Sequence, residues 1–594
     1  MTYAAPLDDM RFVLQHLAGL PEIATFAGFE DAEPELVEAV LVEAARFAAE
    51  VLEPLNASGD RQGCRWADGK VATPDGFPAA YRQFTEAGWH GMPADTSIGG
   101  QGMPAVVSSA VAEMWKSANL SFSLCQMLTM GAVQALAHHA SDELKQRYLP
   151  KMVAGEWTGT MNLTESQAGS DLSVIRTRAE PDGDHFRLFG SKIFITWGEH
   201  DVAENIIHLV LARLPDAPAG TRGISLFVAP KFLVQPDGSL GARNDLICSS
   251  IEHKLGIHGS PTAVMSYGDK TGAVAYLVGE PNRGLEYMFT MMNHARLNVG
   301  LEGLAVSEAS YQKAVGYARD RVQGKPIGGT ERASIIHHPD VRRMLMDMRA
   351  RTEAMRALAY CTLAAMDRAE HHPDAAERAR CQGRVELLTP VVKGWCTESS
   401  IMIASTGIQV HGGVGFVEET GAAQFFRDAR ITTIYEGTTG IQALDLIGRK
   451  LARDNGVNAG ALTGEMETEL EALASANDAD LASIRLALTV GLKAFAEATA
   501  WILERYDSHP REAAAGAVPY LKLTGTVAGG WQMARAARVA HDLLRGGEEN
   551  AAFLRGKIAT ARYYAEHVLP EAGTWRDEIT TGAGSTLALE DVLF

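Results

Sequence analysis

A block of short strand-like segments interrupts a chain that is otherwise patterned for helices. Apolar strand patterns occur at 185–196, 206–214, 223–230, 263–267 and 273–278. Turn-rich stretches such as Pro181-Asp182-Gly183 separate them. This spacing predicts an antiparallel β-domain and restricts the chain to an α+β fold.

Helix formers at helical spacing dominate on both sides of this block. The predicted helices are 35–52, 127–152, 287–320, 339–366, 381–405, 440–453, 480–506, 520–545 and 551–567. The predicted domains are an N-terminal helical domain with an extension (1–158), the β-domain (159–280), a helical bundle (281–455) and an extra C-terminal helical domain (456–594).

Composition excludes several classes of function. The 594 residues are 46% apolar and 21% charged, as in an ordinary globular protein. The net charge of −19, and 19 acidic against 12 basic residues in the C-terminal domain, disfavour nucleic-acid binding. There is no uninterrupted run of 18 apolar residues, and the first ten residues carry two aspartates and no Lys or Arg. We therefore expect a cytoplasmic protein that binds no membrane.

The cysteines and histidines give no metal-binding pattern. The six cysteines are scattered without a C-x-x-C pair, which favours plain thiols in a reducing compartment. The histidine pairs are adjacent in sequence, so on a helix their side chains diverge. We expect no metal site.

Three segments could carry chemistry, and each also has an ordinary structural interpretation. Residues 161–171 combine hydroxyls with a small-residue turn that could approach a phosphate or polar ring, or simply join two domains. The aromatic strand 190–198 could flank a planar cofactor, although such strands more often form core. Glu436 could be a movable general base, but from local sequence alone a helix-terminal carboxylate is favoured.

The order of these segments resembles the acyl-CoA dehydrogenases, a family of flavoenzymes. The similarity covers about residues 40–455. It is carried by LPKMVAGEWTGTMNLTESQAGSD (149–171), GSKIFITWG (190–198), EHKLGIHGSPT (252–262) and RDARITTIYEGTTGIQ (427–442). The resemblance implies FAD as cofactor, an acyl-CoA thioester as substrate and the family's helix–sheet–helix fold.

The resemblance also implies roles for individual residues. Those implied to bind FAD are Met161, Leu163, Thr164, Gly169, Ser170, Phe194, Thr196, Arg321, Gln409, Gly412, Gly413 and Thr438. Arg321 and the 409–413 turn would act across a subunit interface. Ser170, Arg296 and Gly437 would lie at the CoA ester. Three departures stand out: Gln323 runs directly into Gly324 where an aromatic residue is common, Gly440 stands where Gln is frequent, and Asn293 stands where some members use Asp.

Glu436 matches the family's catalytic base, which removes the α-proton, while the β-hydrogen leaves as hydride to the flavin. Some members carry this base beside the arginine matched by Arg296, but here that position is Ala295, which cannot take a proton. The product would be a trans-2-enoyl-CoA.

The extra segments resemble a bacterial, C-terminally extended branch of the family. That likeness implies 3-(methylthio)propionyl-CoA as the substrate, in dimethylsulfoniopropionate degradation, and 3-(methylthio)acryloyl-CoA as the product. Medium-chain, long-chain and aryl acyl-CoA substrates stay open, as does an acyl-CoA oxidase that uses oxygen. We expect a homodimer with electron-transfer flavoprotein as acceptor.

Overall fold

The computed structural model describes residues 3–594, except for the side chain of Asn293. The departure noted at Asn293 therefore lies outside the described side chains. The first elements are α1 (Leu7–Phe12), α2 (Leu20–Ile23), α3 (Pro34–Phe47), α4 (Pro54–Gln62), β1 (Arg65–Ala67), β2 (Lys70–Ala72), α5 (Phe77–Glu86), α6 (Ala105–Ala118), α7 (Leu120–His139) and α8 (Asp142–Val153).

Ten strands and twelve helices follow. The strands are β3 (Trp157–Asn162), β4 (Arg178–Asp182), β5 (His185–Thr196), β6 (Asn205–Ala212), β7 (Ser225–Pro230), β8 (Phe232–Val234), β9 (Leu240–Arg243), β10 (Leu246–Ile251), β11 (Thr262–Tyr267) and β12 (Ala273–Val278). The helices are α9 (Gly284–Asp320), α10 (Pro339–His371), α11 (Ala375–His411), α12 (Ala422–Thr432), α13 (Thr439–Asp445), α14 (Val457–Ala474), α15 (Ala479–Tyr506), α16 (Pro510–Ala515), α17 (Ala517–Gly546), α18 (Ala551–His567), α19 (Glu571–Thr581) and α20 (Ala583–Thr586).

The chain forms two compact units. The helical unit comprises Met1–Arg46, Pro104–Ser117 and Arg296–Phe594, and the sheet unit comprises Phe47–Met103 and Ala118–Ala295.

The sheet unit is built on an eight-stranded sheet in the order β10-β11-β5-β12-β7-β6-β3, with β4 paired to β5. All residues of β6 and β7 are buried, which explains why their sequences are mostly apolar. The predicted antiparallel pairing holds along this sheet except between β3 and β6, which are parallel. β3 is rich in threonine and glycine, so its strand character was not evident from an apolar pattern.

The predicted helix 127–152 is two helices. α7 ends at His139, and the side chain of Ser141 accepts a hydrogen bond from the backbone N–H of Leu144 at 3.4 Å to start α8. A serine at this position caps a new helix because its hydroxyl satisfies an otherwise unpaired backbone N–H.

A buried ion network ties the helical unit together. The guanidinium of Arg356 on α10 donates to Glu113 at 2.6 Å, to Glu308 at 2.7 Å and to Asp9 of the N-terminal extension at 2.6 Å. Lys557, from the C-terminal helices, donates to the same Asp9 at 2.6 Å. Both ends of the chain are thereby anchored to the central helices by charge-assisted hydrogen bonds.

Among residues 3–594, two helices are long and apolar enough to cross a membrane by length and composition alone. They are α7, 83% of whose apolar window is buried within the protein, and α15, with 39% buried. Long core helices pass the same test, and α15 packs against α17, α18 and α19.

The C-terminal helices dock closely onto the bundle at Gly525 of α17. A Cβ at this glycine would lie 2.1 Å from Cγ of Trp395 on α11, whereas a Cβ at Gly464 in α14 would meet nothing within 4 Å. The indole of Trp395 is itself buried and cannot easily move away.

We expect Gly525→Ala to destabilise the protein by about 1–3 kcal/mol through overpacking against Trp395. Gly464→Ala is the matched control and should be neutral or stabilising by up to about 1 kcal/mol, because alanine favours the helix. Urea unfolding measures both. Equal stability of the two variants would contradict the close docking of α17 on α11.

Candidate active site

The loop between α12 and α13 holds Glu436 in an unusual backbone conformation. Glu436 has a φ of +54° and Gly437 a φ of +89°. The left-handed region costs an L-residue other than glycine roughly 1–2 kcal/mol, so Glu436 stays there only because its surroundings fix it. The backbone of Glu436 therefore differs from that of the helical residues on either side of the loop.

Hydrogen bonds to consecutive carbonyls fix the turn. The side-chain amide of Gln442 donates to the carbonyl of Glu436 at 3.1 Å. The ammonium of Lys393, on α11, donates to the carbonyl of Gly437 at 2.8 Å. The N–H of Thr439 closes the loop onto the carbonyl of Thr433 at 3.0 Å.

The helix-terminal interpretation of Glu436 is wrong. Thr438 is the residue that caps α13, because its side chain accepts a hydrogen bond from the N–H of Ile441 at 3.3 Å. The carboxylate of Glu436 is therefore not used to cap the helix. The residue is mostly buried, and only part of its surface is exposed.

The electrostatic environment of Glu436 suits a proton acceptor near neutral pH. Burial raises the pKa of Glu436 to about 7, with Glu302 adding to the rise and Arg296 and Lys393 opposing it. Arg296 is itself buried and donates to Asp445 at 3.2 Å. A carboxyl group tuned in this way can accept and release a proton at physiological pH.

In the sheet unit, a buried lysine anchors the loop that follows β3. The ammonium of Lys192 donates to the carbonyl of Leu163 at 3.0 Å and to the carboxylate of Glu165 at 2.9 Å. Glu165 also accepts from the backbone N–H of Arg176 at 2.7 Å and of Thr177 at 3.0 Å. This arrangement places Thr164 between two anchored neighbours, with its side chain partly exposed.

The Lys192–Glu165 pair is charged. Burial opposes the charge on Glu165, but Lys192 and the hydroxyl of Thr177 outweigh it and lower the pKa of Glu165 to about 2. Burial lowers the pKa of Lys192 to about 8, although Glu165 opposes this change.

A bulge in β5 turns Phe194 out of the sheet. Phe194 has a φ of +60°, and the pairing with β11 shifts register opposite it, between Ala263 and Met265. Its side chain is 58% exposed, whereas Trp197 is fully buried and donates to the carbonyl of Ser121 at 3.2 Å. The interpretation of this strand as aromatic core holds for Trp197 and is wrong for Phe194.

The remaining predicted site residues differ in how far they are exposed to solvent. In the sheet unit, Met161 is buried in β3 and Thr196 is partly exposed, while Gly169 and Ser170 are exposed. In the helical unit, the residues predicted to act across a subunit interface are all exposed: Arg321, Gln409, Gly412 and Gly413.

The sheet-unit residues fit a flavin. Phe194 presents an exposed aromatic ring on a rigid bulge, which suits stacking on a planar ring system. A Cβ at Gly169 would meet nothing within 4 Å, so the 169–171 turn leaves room for a polar group to approach the backbone.

Comparison with known proteins identifies the family. Four acyl-CoA dehydrogenase models match in order: the N-terminal domain (34–156), the middle domain (160–269), the C-terminal domain (282–452) and the acetyl-CoA dehydrogenase C-terminal-like domain (462–590). A 3-methylmercaptopropionyl-CoA dehydrogenase of Ruegeria pomeroyi is 48% identical over 99% of both chains. The chain belongs to the acyl-CoA dehydrogenase family. It is an FAD-dependent acyl-CoA dehydrogenase with a C-terminal extension domain.

Two further matches extend over nearly the whole chain. A butyryl-CoA dehydrogenase of Syntrophomonas wolfei is 34% identical over 96% of this chain and 95% of its own. The structure of a Bacillus anthracis acyl-CoA dehydrogenase complexed with FAD aligns with a TM-score of 0.75 and 20% identity, over 96% of this chain and 91% of that one. The predicted fold, family and cofactor are confirmed.

Sequence reasoning missed the buried charges that hold the two loops. Lys192, Lys393 and Glu302 have fully buried side chains. Each interrupts a segment that is otherwise mostly apolar or small, as Lys393 does between Val392 and Trp395. Since lysine and glutamate are almost never fully buried without a partner, a lone charge in such a segment was the available signal.

We expect Lys192→Met to cost about 3–5 kcal/mol, because it leaves the carboxylate of Glu165 buried without its ammonium partner. The double variant Lys192→Met/Glu165→Gln should recover part of that loss. The control Lys151→Met removes a half-exposed partner of Glu156 and should cost about 1 kcal/mol or less. Urea unfolding measures all three, and a Lys192→Met loss no larger than the control's would contradict the role of this pair.

Proposed function

We propose that this acyl-CoA dehydrogenase converts 3-(methylthio)propionyl-CoA to 3-(methylthio)acryloyl-CoA, with Glu436 as the base that removes the α-proton. The observation that carries the assignment of the base is the carboxyl of Glu436, fixed in a left-handed turn with its pKa raised to about 7. The substrate is supported by the Ruegeria relative, named for the same thioester, with 48% identity over 99% of both chains.

The α-hydrogen of a thioester is only weakly acidic, so its removal needs a base in direct reach and a donor for the charge that develops on the carbonyl oxygen. Glu436 supplies the base, and its own backbone N–H is the donor we propose for that oxygen. Arg296 and Lys393 keep part of the Glu436 population ionised despite its burial. FAD, when bound, accepts the hydride that leaves the β-carbon.

The residues of the sheet unit are proposed to position this cofactor. The backbone at Met161 and Leu163 and the hydroxyl of Thr164 would hold the hydrogen-bonding edge of the flavin. Phe194 would lie against the ring, with Thr196 bonding beside it. In the helical unit, Thr438 would contact FAD just beyond Glu436.

The substrate is proposed to meet three residues. Gly437 would lie beside the thioester, and Ser170 would line the CoA arm. Arg296 would lie near the ester and would act mainly through its charge, since its guanidinium is already engaged with Asp445.

We propose a homodimer in which Arg321 and the 409–413 turn reach the FAD of the neighbouring subunit. The exposure of these residues supports this assembly, as do the exposed apolar side chains of Val414 and Phe416 directly after the turn. Electron-transfer flavoprotein is the proposed acceptor. Six free thiols are consistent with the proposed cytoplasmic location.

We expect Glu436→Gln to lower turnover by a factor of roughly 100 or more, because the amide cannot take the α-proton. FAD content should stay unchanged, and anaerobic substrate should no longer bleach the flavin. Glu419→Gln, which alters an exposed carboxylate of the same unit, is the control and should behave like the parent enzyme. Retained bleaching in Glu436→Gln would refute the assignment of the base.

The substrate is tested with a panel of thioesters and a dye acceptor. We expect 3-(methylthio)propionyl-CoA to give a higher kcat/KM than butyryl-, octanoyl- or phenylpropionyl-CoA. A clear preference for one of the others would replace the proposed substrate. When electron-transfer flavoprotein replaces the dye, we expect it to reoxidise the reduced enzyme rapidly. Hydrogen peroxide formed in stoichiometric amount with the product would instead indicate an oxidase.

A further inference from the structure

The loop of Glu436 is held on both sides by charged side chains of neighbouring helices. On one side, the hydroxyl of Tyr435 donates to the carboxylate of Glu302 on α9. On the other side, Lys393 on α11 donates to the carbonyl of Gly437. Tyr435, directly before Glu436, is therefore bound to a carboxylate, and Gly437, directly after it, is bound to an ammonium.

Both of these charges are deeply buried. The side chains of Glu302 and Lys393 are fully buried, and Lys116 on α6, also buried, places its ammonium 3.9 Å from Glu302. Removing such charges from water costs several kcal/mol each, and a protein is often equally stable with apolar residues of similar volume in their place. Stability alone is therefore a poor explanation for a buried carboxylate and a buried ammonium at this loop.

Several other charged groups face the loop, and each has its own partner. Asp445 is engaged by Arg296 at 3.2 Å and by Arg449 at 3.0 Å. Glu398 accepts a hydrogen bond from the hydroxyl of Thr439 at 2.7 Å. By element, these groups are Lys116 on α6, Arg296 and Glu302 on α9, Lys393 and Glu398 on α11, Asp428 and Arg430 on α12, Asp445 on α13 and Arg449 beyond it; Arg430 donates to the hydroxyl of Thr433 at 2.6 Å.

We propose that Lys393 and Glu302 are positioning residues for Glu436, which hold its loop from both sides and act on its carboxylate with opposite charges. This inference rests on the proposed role of Glu436 as the base. Neither residue needs to touch the substrate, because each acts through the backbone or the ionisation of Glu436.

The charges act on Glu436 in opposite directions. The ammonium of Lys393 favours the ionised form of Glu436 and lowers its pKa, whereas Glu302, when ionised, disfavours that form and raises it. Burial raises the pKa of Glu302 itself, while Lys116, the hydroxyl of Tyr435 and Lys393 favour its ionised form. Burial lowers the pKa of Lys393 to about 8, with Glu436 and Glu302 opposing this change, so Lys393 is mostly charged at pH 7. Since the base must be ionised to act, activity should rise with pH through a limb near pH 7.

The test is the pH dependence of kcat/KM in the purified FAD enzyme. Lys393→Gln keeps a donor for the carbonyl of Gly437 but loses the charge, so the limb should move up by on the order of one pH unit. Glu302→Gln keeps an acceptor for Tyr435 but loses the charge, so the limb should move down by a similar amount. Lys393→Arg, which restores the charge, should return the limb towards that of the parent enzyme.

A second pair of variants separates holding the loop from tuning its charge. Lys393→Met loses both the donor and the charge, so its kcat at high pH should fall below that of Lys393→Gln. If both variants keep the parent kcat at high pH, Lys393 does not hold the loop. If Lys393→Gln does not fold, Glu302→Gln still tests the direction of the shift, because its limb is expected to move down.

Lys557→Gln is the matched control. It removes another fully buried ammonium of the helical unit, one that binds Asp9 and Glu353. It should lower the midpoint of thermal unfolding without moving the pH limb.

Opposite shifts for Lys393→Gln and Glu302→Gln, with none for Lys557→Gln, support the proposal. Shifts in the same direction, no shift, or an equal shift in the control overturn it. Glu436→Gln, assayed alongside, separates the two levels of inference. If it retains turnover, the proposed base is wrong; if it is inactive while the limb stays fixed, only the positioning role fails.

Discussion

The hydrogen bond from the buried ammonium of Lys393 to the carbonyl of Gly437 is central to the loop that carries Glu436. Glu436 adopts a left-handed backbone that L-residues avoid, and such strain persists only where neighbouring groups determine the conformation. Lys393 supplies a strong donor because a charged N–H in a low-dielectric interior binds a carbonyl tightly. The same charge also favours the ionised form of Glu436, so geometry and chemistry are coupled through one side chain.

The sheet unit uses the same device. The buried Lys192 donates to the carbonyl of Leu163, and its charge is balanced by Glu165. Glu165 also accepts hydrogen bonds from the backbone N–H groups of residues 176 and 177. In both units a lysine on a regular element fixes a backbone carbonyl in an irregular loop that carries candidate site residues. A helix or strand is more rigid than a loop, so this arrangement transfers rigidity to residues that secondary structure cannot hold.

Much of the fold was predictable because its elements carry their own periodicity. β5, β12 and α18 have the bounds expected from sequence, and the long helices α9, α10 and α11 differ only at their ends. Prediction failed where the local signal was weak or misleading. β3 lacks an apolar pattern because its threonines hydrogen-bond to buried groups such as His200 and His208. The break at Ser141 is a capping event, which a continuous helical pattern conceals.

The sequence by itself determined the order of helices and sheet, the family and its cofactor, and the candidate residues Glu436, Thr164 and Phe194, because these are written in local periodicity and in motifs. Only the tertiary structure decided that Thr438, not the glutamate, caps α13, that Phe194 leaves the core while Trp197 stays in it, and that Lys393 and Glu302 flank the loop of Glu436. The cap is a local hydrogen bond from Ile441 to Thr438, and it became visible only once the start of α13 was fixed. The positions of Phe194, Lys393 and Glu302 depend on contacts between residues far apart in the chain, and on the cost of burying charge, neither of which a local pattern records.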